Sequence, residues 1–252
     1  MSALVKTGIT GLDDILNGGF PRNHVYLVQG DPGVGKTTLA LQFLLEGIRQ
    51  GEVCLYIALS ESESEIQMVA RSHGWDLSKL HIHAVSALEE SLKSDAENTL
   101  FVPSDVELQE TTRDLMALVE KTQPSRVVFD SLSELRLLAQ DGLRYRQQIL
   151  RLKEFFLGRN CTVLFLDDRT VEREDRQLHS LTHGVLSLQQ TAPDYGVDRR
   201  RLRIVKLRGV KFRSGYHDYV IQGGGLVVFP RIVAAEHNGA MESSHLASLH
   251  RC

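Results

Sequence analysis

Cysteine is scarce. The 252 residues hold three, Cys54, Cys161 and Cys252, and no CxxC pair. A disulfide framework is excluded on that count. Cys54 and Cys161 lie in apolar runs and read as buried thiols, which points to a reducing, cytoplasmic setting. No apolar run approaches the roughly 20 residues that span a bilayer. The opening MSALVKTGIT has no signal-peptide core, so no membrane partner is expected. Repeats and low-complexity linkers are missing from residues 1–234, as one large domain requires. Residues 235–252 show no period and read as a flexible tail. His81 and His83 share a strand face, but no cysteine or carboxylate pattern around them completes a metal site.

Charge is short overall and uneven. The net charge is −3, yet 199–213 (RRRLRIVKLRGVKFR) holds eight basic residues and no acid. Without those eight, 21 basic residues face 32 acidic ones, so the remainder is near −11. A basic patch on an acidic body predicts a surface that faces a phosphate or a partner.

Apolar β-branched runs alternate with helical periods. Strands are expected at 24–29, 52–59, 80–85, 126–130, 162–167, 184–189, 202–207, 217–221 and 226–228. Helices are expected at 37–50, 64–73, 105–122, 133–139 and 144–159. Runs such as VYLV, VVF and TVLFL are apolar throughout, as strands covered on both faces of a parallel sheet are. From Gly184 onward strands follow one another without helices, which predicts an antiparallel extension. The expected fold class is α/β, with a mostly parallel central sheet.

Gly30-Asp31-Pro32-Gly33-Val34-Gly35-Lys36-Thr37-Thr38 fits GxxxxGK[ST] between a strand and a helix. Glycines let backbone N–H groups wrap an anion, and the helix N-terminus adds positive charge. Lys36 is expected to reach the β/γ-phosphates of a nucleotide, and Thr37 to offer its hydroxyl to Mg²⁺. A second metal-side residue should end another strand. Asp130, closing RVVFD, is placed as a Walker B aspartate is. Asp167-Asp168, closing TVLFLDD, competes as the end of a neighbouring strand that senses the terminal phosphate.

The stretch YIALSESESE (56–65) sets three carboxylates at alternate positions. Ser62-x-x-Glu65 fits a capping box, and Glu63 falls in the first helical turn, where negative charge is favourable. Glu61 precedes the cap and has no helical duty. It is the residue expected to polarise water for attack on a phosphate. A solvated loop carboxylate is the competing reading.

Together these residues resemble the KaiC-type ATPases of the RecA/RadA P-loop superfamily. The resemblance rests on VKTGITGLDDILNGGFPRNHVYLVQGDPGVGKTTLALQF (5–43), ARSHGWDL (70–77), VVFDS (127–131) and KLRG (206–209), and covers residues 4–232. It implies a RecA-like core, ATP with Mg²⁺, and a homo-oligomer, often a hexameric ring with nucleotide between subunits. It also implies that Lys206 and Arg208, two apart on a strand, reach a neighbour's terminal phosphate as fingers. The chain departs from the family twice. Ser60-Glu61 stands where a glutamate pair is usual, and Asp167-Asp168 stands where a hydroxyl-bearing residue is common. A single domain also means that the two-domain clock protein's autophosphorylation does not carry over. The function expected is an ATPase acting at subunit interfaces in a regulatory role. Two alternatives stay open: a slow nucleotide-dependent switch, and a recombinase-like DNA-binding ATPase. The nucleic-acid reading is weakened because no aromatic run interleaves the basic residues.

Overall fold

A computed structural model describes residues 4–85, 104–139, 141–168, 178–192 and 196–232. The expected tail at 235–252 lies outside the described residues, as does Cys252. In chain order the elements are β1 (Leu4–Val5), α1 (Thr10–Ile15), β2 (Phe20–Pro21), β3 (Val25–Gly30), α2 (Lys36–Arg49), β4 (Cys54–Ala58), α3 (Glu63–Ser72) and β5 (His81–Ala84). Then come α4 (Ser104–Thr122), β6 (Arg126–Asp130), α5 (Leu132–Ala139), α6 (Gly142–Phe156), β7 (Thr162–Asp168), β8 (Gly184–Thr191), β9 (Arg199–Leu207), β10 (His217–Gln222) and β11 (Gly225–Phe229).

The main sheet runs β11-β10-β9-β8-β3-β7-β6-β4-β5. Strands β3, β4 and β6 are buried at every position, as their unbroken apolar runs require. Side chains of α1, α2 and α3 meet one face of the sheet, and those of α4, α5 and α6 meet the other. This is the three-layer arrangement in which parallel strands lose both faces to helices. The antiparallel extension begins one strand later than expected. β8 pairs parallel with β3, and only β9, β10 and β11 run antiparallel. An apolar run reports burial but not direction.

The opening motif, for which no element is expected from its pattern, forms β1, α1 and β2. Here β1 and β2 pair as a separate two-stranded sheet. The Asp13 carboxylate accepts from both the backbone N–H and the hydroxyl of Thr7 at 2.8 Å, a structural duty within this motif. Residues 178–181 add a helical turn that periodicity does not reveal. Cys54 and Cys161 are buried free thiols, as expected, and Trp75 packs against the core and stacks on His73. Arg126, fully buried, donates to Glu52 and to the carbonyls of Lys6 and Phe43 at 2.8 Å, and lies over the Phe43 ring. These contacts offset the cost of removing its charge from water. No described helix is long and apolar enough to cross a membrane.

Candidate nucleotide site

Four parallel strands bring their C-terminal ends to one edge, where ligands sit in open α/β sheets. β3 delivers the glycine-rich loop, β7 delivers Asp168, β6 delivers Asp130, and β4 leads to Ser60 and Glu61. The loop is shaped by glycine at positions where no side chain fits. A Cβ on Gly30 would stand 2.6 Å from the Leu188 carbonyl oxygen, and one on Gly35, at φ +96°, 2.6 Å from Ile221. Gly35 precedes α2 in a left-handed conformation, and no side chain caps the helix. The first-turn N–H groups of α2 are thus left for an anion. The buried Val34 carbonyl accepts from the Tyr219 hydroxyl at 2.6 Å, tying the loop to β10.

Lys36 is nearly buried. Its Nζ lies 2.7 Å from Asp168 Oδ1 and donates to the carbonyls of Gly30 at 2.9 Å and Asp31 at 3.1 Å. Thr37 Oγ1 donates to Asp130 Oδ2 at 2.9 Å, and the Tyr56 hydroxyl donates to the same oxygen. Thr38, in the first turn of α2, is buried. Burial raises the Asp130 carboxyl above its ordinary range, against the hydrogen bonds from Tyr56 and Thr37 and the charge of Lys36. Burial and the adjacent Asp130 charge lift the Tyr56 phenol well above its usual value, so it remains a donor. Thr37 and Asp130 supply converging hard oxygen ligands of the kind Mg²⁺ takes. The residues therefore fit a magnesium site. Of the competing pair Asp167-Asp168, Asp167 is buried and paired with Arg136 at 2.7 Å, while Asp168 is the acid beside Lys36.

Glu61 is half-buried, and its Oε2 is enclosed with no hydrogen-bond partner among the described residues. Its pKa is pushed up to about 7, first by burial, then by the charges of Asp130, Glu65 and Asp168, with Lys36 opposing. A carboxylate poised there is matched to proton transfer at neutral pH. Its neighbours behave as the capping pattern predicts. Ser62 Oγ accepts from the Glu65 N–H, and Glu65 Oε2 accepts from the Ser62 N–H at 2.7 Å.

Lys206 and Arg208 lie at the opposite edge. Val185 of β8 pairs with Leu27 of β3 on one side and with Lys206 on the other, which is three residues, roughly 10 Å, short of Gly30 along the strand. A bulge interrupts β8–β9 pairing, and Arg208 follows the strand rather than ending it. The two cations still face the same way. Lys206 Nζ donates to the carbonyls of His179 and Thr182, and Arg208 donates to that of Ser180 at 3.3 Å. Their side chains are thus separated from their own phosphate loop.

Reading by local pattern missed Tyr56, Tyr219 and Tyr216. The first two look like ordinary strand residues until tertiary structure brings them to Asp130 and Val34. Tyr216 is brought beneath the basic strand, with Arg201 and Arg203 at 4.9 and 5.1 Å from its ring centre. An aromatic does therefore join the basic residues, from outside the run.

Known proteins resemble this chain in sequence and in fold. The model of the family described as "ATPase: KaiC" matches residues 5–232. A UPF0273 protein of Thermotoga maritima is 31% identical over 233 residues, spanning 90% of this chain and 96% of its own. One from Aeropyrum pernix is 32% identical over 241 residues, spanning 90% and 93%. The crystal structure of a KaiC-like protein from Pyrococcus horikoshii superposes with a TM-score of 0.75 at 23% identity, covering 91% of this chain and all of that one. With its phosphate loop on a RecA-like sheet and a family match across nearly its whole length, the chain belongs to the KaiC family of ATPases.

Proposed function

We propose that the protein is a magnesium-dependent ATPase whose turnover depends on assembly of identical subunits and serves a regulatory output. The observation that carries this reading is the meeting of Lys36, Thr37, Asp130 and Glu61 at one sheet edge, while Lys206 and Arg208 sit at the other. Family membership supports nucleotide binding. In this reading the loop N–H groups and Lys36 hold the phosphates, and Thr37 and Asp130 hold magnesium. Magnesium supplies positive charge against the phosphate oxygens. Tyr56 fixes Asp130 by hydrogen bonding to it, and Glu61 accepts a proton from the attacking water. Lys206 and Arg208 are too far along the strand for their own loop, so the phosphate they meet is a neighbour's. Such fingers contribute about 10³–10⁵-fold to turnover.

The test is ATP turnover of wild type and Glu61→Gln across protein concentration, with mass measured by light scattering on the same samples. Turnover that rises with assembly and collapses in Glu61→Gln is expected. Tight ATP binding with negligible turnover in both would make the protein a nucleotide-gated switch. A second reading, DNA binding, draws on the Tyr216 ring beneath Arg201 and Arg203. It predicts DNA-stimulated turnover that falls steeply with salt, and unstimulated turnover removes it.

A further inference from the structure

We infer that Asp168 is a specificity-determining residue of the phosphate loop: its carboxylate competes with a nucleotide's terminal phosphate for Lys36 and so narrows the preference for a triphosphate over a diphosphate. The inference rests on the nucleotide-binding reading above and concerns how the site discriminates among its ligands.

The geometry follows from the sheet. β7 is the hydrogen-bonded neighbour of β3, and in their parallel register Asp168 stands opposite Gly30. The side chain therefore emerges at the root of the loop. Its orientation is held from the other side, where the Ser133 hydroxyl lies 3.5 Å from Asp168 Oδ2 and accepts from the Asp168 N–H at 3.4 Å. An ammonium group has three donors. Those of Lys36 meet Asp168 Oδ1, the Gly30 carbonyl and the Asp31 carbonyl. A phosphate oxygen that reaches Lys36 must displace or share one of these partners. Two are backbone carbonyls without net charge, so the anionic partner is the one in direct competition.

Lys36 is 8% exposed and Asp168 33%. In so sheltered a place, charge repulsion is screened much less than in bulk water. The adjacent acid, Asp167, is already matched to Arg136, whereas Asp168 shares its cation with the ligand. Asp168 is also close enough to Glu61 to raise that carboxyl's pKa. β7 lies between β3 and the strands β6 and β4, so Asp168 stands on the side of the phosphate loop toward Glu61, which follows β4.

The test is calorimetric titration of wild type, Asp168→Asn and Asp168→Ser with ATP and with ADP, each with magnesium. Asn retains the shape and the contact to Ser133, while Ser tests the same charge removal with a smaller group should Asn perturb folding. Removal of the carboxylate is expected to tighten ATP by about tenfold, ~1.4 kcal/mol, and to leave ADP within about twofold. Equal tightening of ATP and ADP, unchanged affinities, or weaker ATP binding would overturn the inference; the last would mean that the carboxylate helps to hold the cation. If wild type binds ATP but the variants keep its preference, this inference alone falls. If neither wild type nor the variants bind any nucleotide, the nucleotide-binding reading falls with it.

Discussion

Lys36 and Lys206 are both held by backbone carbonyl oxygens, but among the described residues only Lys36 has a carboxylate beside it. The difference divides the sheet into two working edges. At the loop edge Asp168 pairs with Lys36, the carboxyls of Asp130 and Glu61 feel its charge, and Tyr56 donates to Asp130, so the charges are arranged around one another. At the far edge neutral carbonyls orient Lys206 and Arg208 without cancelling their charge. Burial, with the charges of Arg208 and Lys153, pushes the Lys206 ammonium below its ordinary value, a cost that an incoming anion would relieve. In the proposed reading, one edge encloses the nucleotide and the other keeps its charge for an anion from outside.

The sharpest way to break this comparison is to remove the far edge. Lys206→Ala with Arg208→Ala is expected to lower turnover of the assembled protein by about 10³-fold or more. ATP binding by isolated subunits should change by less than about twofold, as no contact to the subunit's own loop is lost. Mixing these subunits with Lys36→Ala subunits should restore part of the turnover, because each supplies the edge that the other lacks. Failure of mixing to restore any turnover, with ATP binding reduced as much as turnover, would mean that both edges serve one site.

At the loop edge, Glu61→Gln is expected to reduce turnover by about 10²–10⁴-fold. Wild-type turnover should fall as pH drops through about 7, where the carboxylate gains its proton, and the Gln variant's residual rate should lack that limb. Stability should move the other way. Because folding raises this pKa, the wild-type fold loses stability as pH rises from the ordinary value of 4.5 through about 7. Glu61→Gln should therefore melt above wild type at pH 8 and approach it below pH 4.5. A variant that melts lower at pH 8 would give Glu61 a structural rather than a chemical duty.

The two edges also differ in how far they are legible along the chain. The loop is a local motif, since strand, glycine-rich turn and helix follow in one stretch, and each constrains the backbone by itself. Asp130 is readable for the same reason, as an acid that ends an apolar strand. Tyr56, Tyr219 and the Asp168 contact are not, because they depend on which strands become neighbours. Nor is the parallel direction of β8. The opening motif folds into elements of two, six and two residues, too short for a periodic signal. Arg126 opens an apolar strand, where its charge argues for exposure; partners distant in sequence, including Glu52, bury it completely.

Tyr56→Phe sharpens the loop edge by a smaller amount. The variant keeps the ring and removes one of two hydroxyl donors to a buried carboxylate. A stability loss of about 1.5–3 kcal/mol is expected from urea unfolding. Magnesium titration of the nucleotide complex should show weaker binding, because Asp130 loses a group that orients it. Unchanged magnesium affinity with the same stability loss would limit Tyr56 to packing.

The smallest effect separates the three alternate glutamates. Ser62→Ala removes the hydroxyl that accepts the Glu65 N–H and breaks the capping box of α3. The expected cost is about 1 kcal/mol of stability. Folding holds the Glu65 carboxyl below its ordinary value, chiefly through the Ser62 N–H and then its hydroxyl. The stabilisation from Glu65 is therefore present above the ordinary value of 4.5 and is lost as pH falls through the lowered one. Ser62→Ala should thus shrink the acid-side loss of stability while leaving turnover near pH 7 unchanged. Glu61, one residue before the cap, should show the reverse, with large effects on turnover and its stability effect on the alkaline side. A Ser62→Ala variant that lost turnover as Glu61→Gln does would show that the cap and the water-activating carboxylate act as one unit.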